Sequence, residues 1–303
     1  MPEPRWPNLF VVGAAKAGTT SLWRYLDRHP EIHMSPDKEP GFFTRPSSIA
    51  SAERRRAYLD LWSQAGEEKL RGEASPSYLA GKDVELAIKQ VAPDARIVIS
   101  LREPIDRTHS SYLSLVNDGV ERRSFRQAVE DDLAGRRIPD CPVYVKPRLY
   151  ARGIRRYRRA FRGNVHILFF EELASQPAVV MRELYQFLGV DPAVADQFEA
   201  RPKAHNQFKA PRNKVVARAL RARRLARALV PIPLRDRVFA ATMKSAPKPA
   251  PDAGSVALLR AAYGPDVLAV RRLLGRPLPP AWVKQFIPPD VLEAARAAEP
   301  PAA

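Results

Sequence analysis

Cysteine is almost missing from these 303 residues, with Cys141 standing alone. One thiol forms no internal disulfide and no thiolate metal cluster, so nothing points to an oxidising compartment. No run of 18 apolar residues occurs, which excludes a membrane-spanning helix. The apolar stretch near the N-terminus follows Glu3 and ends in Lys16, as expected of a core strand and not of a signal peptide. The five histidines, His29, His33, His109, His166 and His205, show neither H-E-x-x-H nor any paired ligand spacing, so no metal is expected. No internal repeat, zinc finger or RNP signature is present. Acidic residues are also few: 33 against 50 Lys and Arg leave a net charge of +17, which calls for anionic partners.

What is present is enough for a large core. With 45% hydrophobic residues, the chain is expected to be one α/β domain over 1–303, made of a core at 5–200 and a basic, proline-interrupted helical C-terminal extension at 201–303. Strands are expected near 8–13, 32–35, 69–73, 96–101 and 165–170. Helices are expected near 19–28, 52–65, 83–91, 104–117, 124–134, 148–161, 177–188, 212–229, 255–273 and 290–298. Strands alternating with helices imply a parallel sheet flanked by helices.

The chemistry begins where the apolar run Phe10-Val11-Val12 breaks into Gly13-Ala14-Ala15-Lys16-Ala17-Gly18-Thr19-Thr20-Ser21-Leu22. A buried strand, a glycine-spaced turn and a helix start make a P-loop-like anion cradle, because the first turn of a helix has unpaired N–H groups and the positive end of the dipole. A triphosphate loop puts lysine directly after the second glycine. Here Thr19 follows Gly18 and the lysine is Lys16, a poor match to a Mg-triphosphate site.

A second segment repeats the pattern. The run Arg96–Leu101 leads into Arg102-Glu103-Pro104, with Pro104 suited to a first helical position, Arg107 and Ser110 following, and Tyr112 beyond. Arg102 then stands at the carboxyl end of a strand, where open α/β sheets bind ligands, and its planar fork suits a phosphate. Taken alone, the segment equally fits an arginine ending a strand and a serine packed in a helix.

Together these residues resemble the sulfotransferases that use 3′-phosphoadenosine 5′-phosphosulfate (PAPS). Lys16, Gly18, Thr19, Thr20 and Leu22 match K-x-G-T-[TS]-x-L; Arg102, Pro104, Arg107, Ser110 and Tyr112 match R-x-P-x-x-R-x-x-S-x-Y. Lys38-Glu39-Pro40-Gly41-Phe42-Phe43 is similar to the K-E-x-x-F-F element of the carbohydrate branch, which includes the heparan sulfate sulfotransferases. Glu73-Ala74-Ser75-Pro76-Ser77-Tyr78 is similar to its E-x-[ST]-P-x-Y. Residues 262–267, Leu273 to Arg276 and Trp282 resemble the closing helix of bacterial members.

The resemblance implies a P-loop-like fold and a donor site for PAPS, with PAP as product and no metal. Lys16, Ala17, Gly18, Thr19, Thr20 and Ser21 would take the 5′-phosphosulfate, and Arg102 and Ser110 the 3′-phosphate. The stretch Lys203 to Asn213 resembles a segment that closes over the 3′-phosphate, with Lys209 and Arg212 as its cations. Sulfuryl transfer needs positive charge at the leaving oxygen and a base for the acceptor's proton, roles that fall to Lys16 and Glu39. Partial burial by Pro40, Phe42 and Phe43 would suit the base, with Lys38 keeping it ionised; Glu73 is the next candidate. Glu39 taken alone reads as a solvated carboxylate. Lys38, Phe42, Ser75 and Tyr78 are the expected acceptor contacts. Heparan-acting members tend to carry cationic or imidazole groups where this chain has Gly41 and Ala74, so a smaller or less charged sugar, glycolipid or other hydroxylated compound is expected.

The excess of arginine concentrates in 148–162 and 212–237. The first segment reads as an amphipathic helix over the sheet. The second fits a basic helix against an anionic membrane or an acidic acceptor, and equally a solvated arginine-rich face. No specific nucleic-acid partner is expected. The expected location is the cytoplasm, where the donor is made, with peripheral membrane contact left open. A P-loop kinase or NTPase and a non-enzymatic nucleic-acid-binding protein remain as alternatives.

Overall fold

The structure, a computed structural model, describes residues 5–45, 47–118, 120–136, 143–145, 149–198, 209–211, 243–245 and 248–287; at 47, 209–211 and 243–245 only the backbone is described. Five strands, β1 (Leu9–Gly13), β2 (Ile32–Met34), β3 (Leu70–Ala74), β4 (Arg96–Leu101) and β5 (Val165–Phe169), form a sheet in the order β2-β3-β1-β4-β5. Every pair is parallel, with Leu9 opposite Gly72 on one side and Arg96 on the other. The apolar runs of β1 and β4 are buried because helices cover both faces of such a sheet.

The chain visits one side of β1 through β2 and β3, then crosses to the other through β4 and β5. The reversal falls at β1, so the crevice at the carboxyl end of β1 is where a ligand of such a sheet belongs.

Between the strands lie α1 (Thr19–Asp27), α2 (Ser47–Ala50), α3 (Ala52–Leu59), α4 (Val84–Val91), α5 (Pro104–Asn117), α6 (Phe125–Leu133) and α7 (Tyr150–Ala160). After β5 come α8 (Phe170–Ser175), α9 (Pro177–Leu188), α10 (Ala253–Leu274) and α11 (Pro280–Phe286). Leu9 and Val11 pack with Leu22 and Leu26 of α1 and with Val180, Met181 and Leu184 of α9. Phe10, on the opposite face by strand alternation, meets Phe43 at 5.8 Å.

The closing segment is tied to the sheet by specific bonds. Asp266 accepts from the Tyr150 and Ala151 amides at 2.7 and 3.1 Å, capping α7. Trp282, fully buried, packs edge-on against Phe169 and donates to Glu171 Oε2 at 3.3 Å.

The chain divides into two compact units, Met1–Arg107, Arg148–Pro202 and Tyr263–Ala303 against Thr108–Pro147 and Lys203–Ala262. In the second, Phe125 packs against His109 and Tyr112. Glu121 takes Arg123 at 2.7 Å and the Tyr144 hydroxyl at 2.9 Å. A strand pair absent from the sequence reading, β6 (Lys209–Pro211) with β7 (Met243–Ser245), runs antiparallel.

Strands fall within a residue or so of expectation. The helix expected at 52–65 stops at Leu59 and passes into a 3₁₀ turn, Asp60–Trp62. The helices expected at 212–229 and 290–298 lie outside the described residues, as does Cys141.

Candidate active site

The loop after β1 is held from β4. Ala14 N donates to the Ser100 carbonyl at 2.6 Å, and Ser100 Oγ donates to the Ala17 carbonyl at 2.5 Å. Ala17, Gly18 and Thr19 are buried, Thr20 and Ser21 half-buried, and Lys16 exposed. Gly18 is the cap of α1 with φ 77°, and a Cβ there would stand 2.7 Å from Phe170 Cδ2. A glycine cap offers the helix no side-chain acceptor and the first turn has no acid, which leaves its positive end to an anion.

Arg102 leaves β4 beside this loop. Its Nη1 donates to the Lys16 carbonyl at 3.1 Å, its Nη2 lies 3.4 Å from Asp106 Oδ2, and the guanidinium sits 4.4 Å from the Phe170 ring centroid. Its Nε is buried with no hydrogen-bond partner among the described residues. Burying a guanidinium N–H unpaired is costly. Behind it, Glu103 accepts from Ile105 N and Asp106 N at 2.9 and 2.6 Å, capping α5; burial nonetheless pushes its carboxyl up to about 7. Glu171 Oε1 accepts from Glu103 N at 2.8 Å.

Glu39 stands on the loop after β2. Its backbone is left-handed, φ 66°, as is that of Lys16, φ 65°; these are two of only three non-glycine residues so placed among the described residues. Such conformations cost on the order of 1 kcal/mol or more and persist where the surroundings impose them. The expected shielding of Glu39 is not found. Its side chain is 54% exposed and ion-paired with Lys38, because Phe42 and Phe43 turn inward beneath it.

Three of the expected acceptor contacts lie inside the protein. Phe42 is buried and stacked on Tyr58 at 4.2 Å; Ser75 and Tyr78 are buried too. Ser75 Oγ donates to Glu73 Oε2 at 2.6 Å, and the Tyr78 hydroxyl to Glu73 Oε1 at 3.0 Å. Both hydroxyls are spent inside the protein, and Lys38, half-buried, is the least buried member of that set. Glu73 is fully buried, and also takes the Tyr58 hydroxyl at 2.5 Å. Burial pushes its carboxyl up to about 7 against the lowering effect of these hydroxyls.

Ser110 is half-buried on α5, in the second compact unit; Arg212 lies outside the described residues. Phe170, Tyr58 and Glu103 escaped the sequence reading. Phe170 ends an apolar run and reads as strand, and Tyr58 belongs to no motif.

The chain is similar to the mouse heparan sulfate glucosamine 3-O-sulfotransferase 3A1, 26% identical over 192 residues that cover 63% of this chain and 48% of that one. It is 29% identical over 196 residues to the human heparan sulfate glucosamine 3-O-sulfotransferase 6, covering 64% of this chain and 55% of that one. The chain thus spans about half the length of the curated relatives it matches. Among solved structures it resembles a sulfotransferase from Alicyclobacillus acidocaldarius, with TM-score 0.66, 29% identity and coverage of 91% and 98%. The model of the sulfotransferase family matches residues 43–195, half of the 303, and the chain belongs to that family.

Proposed function

We propose that this protein transfers a sulfuryl group from PAPS to a hydroxyl or amine of a carbohydrate, glycolipid or other small acceptor. The observation that carries the reading is the junction at Arg102, whose guanidinium is bonded to the Lys16 carbonyl and keeps a buried Nε unbonded. An exposed lysine, a helix start without a side-chain cap and that guanidinium suit a nucleotide with phosphates at two ends.

On this reading Lys16 and the loop through Ser21 hold the 5′ end, and Arg102, Ser110 and Arg212 take the 3′-phosphate. When bound, PAPS supplies the sulfuryl group and a phosphate leaving oxygen. Lys16 holds its positive charge at that end of the site, where preorganised charge lowers the barrier. Glu39 takes the proton from the acceptor at its carboxylate, within reach of solvent and of Lys38. A triphosphate reading lacks the lysine after Gly18, and a nucleic-acid reading rests on net charge alone.

The curated relatives are named for heparan sulfate glucosamine. Here Gly41 has no side chain and Ala74 is buried, so no charge stands at either position, and the acceptor we propose is smaller or less charged. Cytoplasmic residence is part of the same proposal; among the described residues no helix is long and apolar enough to cross a membrane.

Mass spectrometry of hydroxylated cell extracts incubated with the protein and PAPS tests the reading. Sulfated products that vanish with Lys16→Ala support it. PAPS left unconsumed, with phosphorylation from Mg-ATP in its place, contradicts it.

A further inference from the structure

A carboxyl group buried among aromatic rings is costly, and Glu73 has no cation among its bonded partners in the described residues; they are three hydroxyls. Apolar residues would fill that space at less cost, so its placement calls for a use. The direction of the hydrogen bonds supplies one.

A hydroxyl has one proton to give. Ser75 and Tyr78 each give theirs to Glu73, which leaves their lone pairs to accept from the loop opposite. Ser75 Oγ accepts from Gly41 N at 3.0 Å, and the Tyr78 oxygen accepts from Phe43 N at 3.2 Å. Burial, and then the facing carboxyl, push the Tyr58 and Tyr78 phenols up, so both remain donors. One carboxyl therefore sets the polarity of two relays, and both end on the backbone that follows Glu39.

The same loop is tight elsewhere. Gly41 is left-handed at φ 64°, and Phe42–Thr44 forms a 3₁₀ turn closed by Thr44 N to the Gly41 carbonyl at 3.1 Å. Phe43 meets Tyr78 edge-on at 5.9 Å. Glu39 itself is more than half exposed, so where its carboxylate points depends on this backbone and not on packing of its own side chain.

We infer that Glu73 is a positioning residue: through Ser75 and Tyr78 it fixes the loop on which Glu39 stands, and so aims the base. The inference rests on the reading of Glu39 as base. At pH 8, where the comparison is made, Glu73 is ionised and accepts at both oxygens; Glu73→Gln keeps the volume but puts a donor on one of them, which reverses one relay whichever way the amide lies. Ser75→Ala removes the Gly41 relay alone, and serves should Glu73→Gln not fold.

The experiment compares wild type, Glu73→Gln and Ser75→Ala, each also in a Glu39→Gln background. Amide hydrogen exchange is read over 38–44, and the initial rate of PAP release at saturating PAPS is read with a polar glycan and glycolipid extract as acceptor. Exchange at Gly41 and Phe43 is expected to speed up at least about tenfold. Turnover is expected to fall about ten- to a hundredfold with the KM for PAPS within about twofold, and to fall no further in the Glu39→Gln background. Undiminished turnover in a folded variant with a loosened loop, or an equal further loss in the Glu39→Gln background, overturns the inference and leaves the sulfotransferase reading standing. A wild type that is neither stabilised by PAP nor consumes PAPS overturns that reading, and this inference with it.

Discussion

Arg102 Nη1 donates to the carbonyl of Lys16 at 3.1 Å across 86 residues of chain, so the carboxyl ends of β1 and β4 meet in a single cationic junction. Phe170 backs both partners, lying under the guanidinium and filling the space over Gly18. The loop and the arginine are thus one rigid assembly on the sheet and not two separate cations.

Arg102→Ala should weaken PAP binding by about 1.5 to 3 kcal/mol, the scale of a lost hydrogen bond to a charged group, and AMP binding much less. Isothermal titration with both nucleotides checks this. Equal losses would detach Arg102 from the 3′-phosphate.

Glu39→Gln should lower turnover at least about a hundredfold, while the melting-temperature rise caused by PAP stays near that of wild type. Near-normal turnover would move the base elsewhere.

The two loops were legible because each is contiguous. Glycine spacing after an apolar run, and Arg-x-Pro after another, mark where a strand ends and a helix starts. Phe170 was not, because an aromatic that continues the run of β5 reads as strand, yet it opens α8 and packs on Gly18. Ser75 and Tyr78 are visible in the sequence only through a family motif, which implies acceptor contacts and not buried donors to Glu73. Their burial depends on Tyr58 and Glu73, which meet only once α3 lies against β3. Of the four points where the chain passes between the compact units, two follow a proline, Pro147 and Pro202, whereas the one within α5, between Arg107 and Thr108, has no glycine or proline to signal it.

Gly18→Ala should destabilise the protein by about 1 to 3 kcal/mol, because φ 77° disfavours a Cβ that would also press on Phe170. Urea unfolding measures it. A neutral effect would mean that Phe170 does not hold this loop.

Stability should carry a pH signature of Glu73. Its carboxyl is raised in the folded state to about 7, so between the unfolded value near 4.5 and about 7 the native protein holds the extra proton. Stability from this group is therefore full below about pH 4.5 and declines as pH rises through about 7, by on the order of 3 kcal/mol at 1.36 kcal/mol per pH unit. Urea unfolding of wild type and Glu73→Gln at pH 5 and pH 8 should show the difference shifting toward the variant at pH 8. A difference independent of pH would mean that Glu73 is not raised. His166 acts in the opposite direction: burial and then Arg276 lower it to about 4, so its contribution is lost as pH falls below about 6.5. It is common to both proteins and cancels in the comparison.

The central claim is that one site takes both ends of a 3′,5′-bisphosphate nucleotide, and the melting temperature with PAP against AMP tests it most directly. At equal concentration PAP should raise it clearly, as a ligand at 100 times its Kd adds about 2.7 kcal/mol, and AMP should raise it far less. Equal shifts with the two nucleotides, or none with either, would contradict the account.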